Sequence, residues 1–162
     1  MKRVAASFCL LLIMACGASA KEWRGIMPLH STRVDVVRAI GEPAFQDYVF
    51  DVEEGRATIR FSVQPCEQSV LDNLTAWRVS GDTVLDISLF LKQPVAVAGL
   101  NLTEADGYEQ QSDDSGIVNY RNRKEGIIYT AAEGVVFSIT YGPSEKDGHL
   151  RCEGSEPGRE AR

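Results

Sequence analysis

Histidine is scarce in this chain, with two residues, and there are only four cysteines. No C-x-x-C pair and no H-x-x-x-H spacing occurs, so a zinc-type centre lacks the three or four closely spaced ligands it needs. No glycine-rich loop precedes a helix to cradle phosphate, and Ser31 and Ser144 do not stand in a G-x-S-x-G turn. The acids Glu104, Asp106, Glu109, Asp113 and Asp114 do not follow the order of an EF-hand loop and read as a solvated acidic loop. No cofactor, metal or catalytic set is therefore expected. Cations are short as well: 17 Lys and Arg stand against 23 Asp and Glu in 162 residues, a net charge of −6. An acidic surface repels phosphate, so no nucleic-acid partner is expected. Beyond residue 20 no apolar run approaches about 20 residues, which predicts no transmembrane segment in the mature chain. What is present, 44% hydrophobic and 25% charged residues, is ordinary globular composition and excludes collagen-like and low-complexity classes.

The one long apolar run is at the start. Lys2 and Arg3 precede Val4 to Ala15, and Ala18-Ser19-Ala20 is the small-x-small pattern that a signal peptidase reads. Residues 1–20 are therefore predicted to be a signal peptide cleaved between Ala20 and Lys21. The mature protein would be exported, periplasmic or secreted, with 15 basic side chains against 23 acidic ones. An alternative is an imperfect lipobox, Ile13-Met14-Ala15-Cys16, in which Cys16 carries a lipid anchor and holds the protein at the envelope.

Cys9 and Cys16 belong to that leader, leaving Cys66 and Cys152. An even pair in an exported chain most simply forms one disulfide. The alternative is a catalytic thiol at Cys66 with His30 or His149 as base, although Cys66 lies beside the acid Glu67 rather than in an electropositive setting.

The remainder reads as one α+β domain over residues 21–152, followed by a polar tail over 153–162 that is predicted to be disordered. Thr32 and Asp35 form a capping-box variant, Gly41 stops the helix, and Pro43 blocks its resumption. Val34, Val36, Val37 and Ile40 are assigned to its core-facing stripe, with Arg33 as the exception. The period then changes to two. Tyr48, Phe50 and Val52, the turn Glu54-Gly55, and Ala57, Ile59, Phe61 and Val63 read as a hairpin with one buried face. Trp77 to Val79 and Leu85 to Leu91 read as a second hairpin that Pro94 ends. Gly116 to Asn122, Ile127 to Ala132, and Val135 to Tyr141 read as further strands of a meander. The predicted architecture is a short N-terminal amphipathic helix packed on an antiparallel β-meander of about six or seven strands. Tyr48 to Gly55 also resembles Tyr120 to Gly126, each ending in Glu-Gly before an alternating strand, which raises an internal repeat.

Helix entry at Thr32, Val36 at its centre, and the exit Ile40-Gly41-Glu42-Pro43 with a meander after it resemble, over residues 28–63, the small outer-membrane assembly lipoproteins of the SmpA/BamE type. The same unit occurs in tandem in the β-lactamase-inhibitor-like proteins. The whole mature chain, from Trp23-Arg24-Gly25-Ile26 through Pro28-Leu29-His30-Ser31-Thr32-Arg33 to Tyr141-Gly142-Pro143-Ser144 and Leu150-Arg151-Cys152, is similar to a group of uncharacterised exported bacterial proteins. The distant resemblance implies a non-enzymatic, protein-binding α+β module and carries over no functional residue.

The leading expectation is thus an exported binding or interaction module whose partner is another protein of the cell envelope or exterior. A proteinaceous inhibitor of an extracellular or periplasmic enzyme differs from it only in the partner. The third expectation is the thiol hydrolase using Cys66 with His30 or His149.

Overall fold

The computed structural model describes residues 21–66 and 76–153. The predicted signal segment with its Ala20–Lys21 junction, Cys16, most of the loose stretch after Pro65 and the tail beyond Glu153 lie outside the described residues. The fold is mostly strand. Seven strands, β1 (Val49–Val52), β2 (Gly55–Phe61), β3 (Val84–Ala96), β4 (Glu109–Ser112), β5 (Val118–Asn122), β6 (Ile127–Ala132) and β7 (Val135–Tyr141), form one sheet in the order β1-β2-β3-β7-β6-β5-β4. Every described pairing is antiparallel. This is not a single meander. Two meanders, β1-β2-β3 and β4-β5-β6-β7, meet along a seam in which β3 pairs with β7. Two of the three Glu-Gly hairpins, β1-β2 and β5-β6, stand at corresponding places on either side of that seam, and the third, at Glu133-Gly134, joins β6 to β7.

The one α-helix among the described residues, α1 (Arg33–Ile40), lies inside the sequence rather than at its N-terminus. Thr32 caps it: its hydroxyl accepts from the Asp35 amide, and the Asp35 carboxylate accepts from the Thr32 amide at 2.9 Å. These bonds satisfy end-of-helix donors that have no partner within the helix. The residues before it bind the start of β3, with the Leu29 amide donating to the Val84 carbonyl and the Val84 amide to Ser31. α1 is thereby set down on the face that carries Phe50, Ala57, Ile59, Ile87 and Leu89, where Val36 joins them in one core with Trp23, Ile26 and Val84. Full burial of each Ile or Phe in that cluster contributes about 1.5–3 kcal/mol relative to exposure.

Several expected details differ. Val34 does not face the core: it is 65% exposed. The inward stripe is Arg33, Val36, Val37 and Ile40, the i, i+3, i+4, i+7 series of one helix face. Arg33 belongs there because its guanidinium lies 4.0 Å from the Phe61 ring centroid while pairing with Asp82 and the Asp47 carbonyl. Tyr48 sits in a 3-10 turn (Gln46–Tyr48), and Val63 lies past the end of β2; both are exposed. Trp77 to Val79 forms no hairpin strand; Trp77 instead bridges to Arg151. Pro94 does not end β3, which continues to Ala96. Pro94 lies beyond the last β2 partner, Leu91, in the irregular stretch of the β3–β7 register, where its missing N–H interrupts no paired ladder bond. In β7 the register jumps from Ser138 to Val136, leaving Phe137 as a bulge. The bulge turns Val136 inward, fully buried, and leaves Val135 exposed.

Candidate functional site

The second face of the sheet is polar, and its register explains why. Thr58, Ser88, Thr140, Ile128, Arg121 and Glu109 lie in one row across six strands. Ser88 and Thr140 join their hydroxyls at 3.3 Å along it. The next row on the same face runs from Arg60 and Asp86 through Gly142 and Gly126 to Arg123, with the Gly142 amide donating to the Gly126 carbonyl at 2.7 Å. At the centre of that row Gly142 leaves its side-chain space open, whereas the space over Gly126 is filled by the Gly142 carbonyl oxygen and the Pro143 backbone. The result is a groove of about 780 Å³, with Ile128, Thr140, Gly126 and Gly142 among its lining.

The groove is bounded on one side by the C-terminal segment. After β7, Gly142-Pro143-Ser144 leads into a 3-10 turn (Glu145–Leu150) that carries its own capping box. The Ser144 hydroxyl and amide both donate to one oxygen of Asp147, at 2.8 and 2.7 Å, and the other oxygen meets His30 Nε2 at 3.0 Å. Burial alone would raise the Asp147 carboxyl, but the contacts from His30 and Ser144 outweigh it and hold the group below the ordinary value of 3.8. Cys152 is bonded to Cys66, with Cα atoms 5.7 Å apart. The Cys152 amide donates to the Ala76 carbonyl, the Arg78 amide to Leu150, and the Arg151 guanidinium lies 5.6 Å from the Trp77 ring centroid. The segment is therefore fastened at three points.

In a chain with more acids than bases, four arginines line this one groove: Arg60, Arg121, Arg123 and Arg151. The acids lining it are Asp86 and Glu145. Arg60 is tied to Asp86 through two nitrogens, and Arg123 donates to Glu109 at 3.0 Å. Arg121 and Arg151 form no ion pair among the described residues. A guanidinium presents a planar fork of donors suited to carboxylate or phosphate oxygens, so the arrangement can hold anionic groups along the sheet.

Of the sequence candidates, Ser144 lines the groove with its hydroxyl committed to Asp147, and Cys66, His30 and His149 are not among the lining. Cys66 is disulfide-bonded and has no thiol to offer, and neither histidine is its partner. His30 meets Asp147, while His149 Nδ1 lies 2.9 Å from the Lys146 carbonyl oxygen. Ser144, Asp147 and His30 share a cluster, but in the wrong order for nucleophilic catalysis. A serine nucleophile needs its hydroxyl against the imidazole; here the carboxylate stands between them. Lys21 pairs with Glu125 at the surface. In the acidic loop, Asp106 accepts from Thr103, Asp113 from Ser115 and Ile117, and Glu109 from Arg123. Among the described residues no three His, Cys, Asp or Glu side chains converge on a metal position.

Sequence reasoning missed the arginines. Arg121 and Arg123 alternate along one strand edge, and Arg60 alternates with Ile59 and Phe61, so each could be assigned to the polar face. Their meeting depends on the β3–β7 seam, which no local pattern reports. Compared with known protein families, with curated proteins and with solved structures, the chain matches none.

Proposed function

We propose that the protein is an exported, non-enzymatic binding module of the α+β class, with the helix and first hairpin as scaffold and the polar sheet face as the binding surface. Its partner is a protein segment of the cell envelope or exterior. The observation that carries this reading is the groove itself: open backbone at Gly142, arginines at both ends, and a boundary fastened by a disulfide, a bridge and the His30–Asp147 contact. A site fixed in this way loses little freedom on binding, which favours affinity. The leader-like start and the disulfide both suit an oxidising compartment. The resemblance of residues 28–63 to the SmpA/BamE scaffold, whose implied role is protein binding, points the same way.

The test is selection of binders from a random displayed-peptide library by the folded, oxidised protein, with the site mapped by amide chemical-shift changes. Selected peptides should perturb Arg121, Ile128, Thr140 and Gly142. Perturbations confined to the α1 side of the sheet, or failure to select any peptide, would overturn the assignment.

A further inference from the structure

The chemistry of the groove's occupant can be read one step further, on the assumption that the groove is the binding site proposed above. We infer that it takes a short extended peptide segment carrying at least two carboxylates, gripped by Arg121 and Arg151 and flanked by Arg60 and Arg123.

Three features point to this occupant. The first is length. Arg60 on β2 and Arg123 at the end of β5 are separated by four strand-to-strand steps across β3, β7 and β6. At roughly 4.8 Å a step this is about 19 Å, the span of five or six extended residues. A single small oxyanion would engage one guanidinium and leave the others without a ligand. The second is the floor. Gly142 leaves open the space a side chain would take, with nothing nearer than 3.8 Å, and glycine is the residue that lets another backbone approach closely. Ile128 nearby supplies an apolar contact for a side chain of the occupant. The third is charge. The arginines outnumber the acids in the groove, whereas the chain as a whole carries −6. A local cationic strip on an acidic protein suits a short segment with a few carboxylates. A long polyphosphate would extend past the strip onto surface that repels it. Asp86 and Glu109 already neutralise part of Arg60 and Arg123. Arg121 and Arg151, which form no ion pair among the described residues, are therefore the two expected to contribute most to binding.

Fluorescence anisotropy with labelled hexaglutamate, hexaglutamine and hexalysine peptides, and with a short oligothymidylate, tests the inference on the full oxidised protein. Hexaglutamate should bind, more weakly as salt is raised, and the other three should bind at least about tenfold less tightly. Arg121→Gln should weaken hexaglutamate about tenfold, the loss expected for one charge-assisted contact, and Arg121→Glu should weaken it further. Arg38→Gln, an exposed arginine on the far side of the sheet, should leave binding unchanged. Circular dichroism melts check that each variant folds, and Arg123→Gln replaces Arg121→Gln if that variant does not. Equal binding of hexaglutamine, tighter binding of the oligothymidylate, or equal weakening by Arg38→Gln would each overturn the inference. Library peptides that map to the groove but carry no acids would also overturn it, while leaving the binding-module reading intact. Failure to select any peptide would remove both.

Discussion

His30 and Asp147, 117 residues apart in sequence, meet at 3.0 Å and join the segment leading into α1 to the turn that borders the groove. The carboxylate is buried, and its other oxygen accepts the two Ser144 donors. One side chain thus caps a turn and links the two ends of the described domain.

Acid should undo this junction. Because the Asp147 carboxyl is held below 3.8 in the folded protein, the unfolded chain takes up its proton first as pH falls. The stabilisation is therefore complete above that value and lost as pH drops through the lower, folded value. Urea melts between neutral and strongly acid pH should show wild type losing stability below about pH 4. Asp147→Asn, less stable by about 1–3 kcal/mol near neutrality, should show less of that loss. Parallel curves for the two proteins would contradict the assignment.

Four substitutions test the orientation of α1. Val36→Ala, which empties a fully buried site, should cost about 2 kcal/mol. Thr32→Ala should cost about 1 kcal/mol through the lost cap. Arg33→Ala should cost about 0.5–1 kcal/mol by removing the contact with Phe61, and Arg38→Ala no more than about 0.5 kcal/mol. Chemical denaturation ranks them, and an Arg38 effect as large as that of Val36 would mean a rotated helix.

Of the three Glu-Gly hairpins, those at Gly55 and Gly126 should be the least tolerant of a side chain. A Cβ at Gly55 would meet the Phe90 carbonyl oxygen, and one at Gly126 would meet the Gly142 carbonyl oxygen and Pro143 backbone. At Gly134, also at positive φ, a Cβ finds open space. Gly134→Ala should cost about 1–2 kcal/mol for the left-handed backbone alone. Gly55→Ala and Gly126→Ala should each exceed it by about 1–3 kcal/mol because backbone must move. Thermal melts of the three variants would show that order.

Removing the disulfide should cost up to about 4–5 kcal/mol, the chain-entropy value for a separation of 86 residues. The Cys66→Ser, Cys152→Ser double variant measures it by urea unfolding. A thiol assay on unfolded, unreduced wild type should find no free thiol at either position.

What could be read from the sequence was local. The Thr32–Asp35 cap, the stop at Gly41 and the β1-β2 hairpin all follow from neighbours within a few residues. Val34 was misassigned because an apolar label decided the stripe, whereas the long side chain of Arg33 reaches Phe61 with its charged end still paired. Trp77 was misassigned because its partner, Arg151, is far along the chain. Pro94 looked like a strand end because its tolerance depends on where β2 stops. The groove needs β5, β6 and β7 beside β2 and β3 in register, a non-local fact, so its arginines looked like ordinary solvent-facing residues.

The seam has a consequence for assembly. β3 finds β7 across the chain's midpoint, and the connection between the two meanders runs through residues 97–108 with no long element of its own. The same backbone pairing would be met equally well by β7 of a second copy, which is the geometry of domain exchange. Because Cys66 lies in the first meander's half of the chain and Cys152 follows β7, their bond fixes which copy supplies β7. An exchanged dimer would carry the same bond between copies, so oxidation locks in whichever β7 the first meander has found, and a reduced chain that refolds at high concentration has both outcomes open to it.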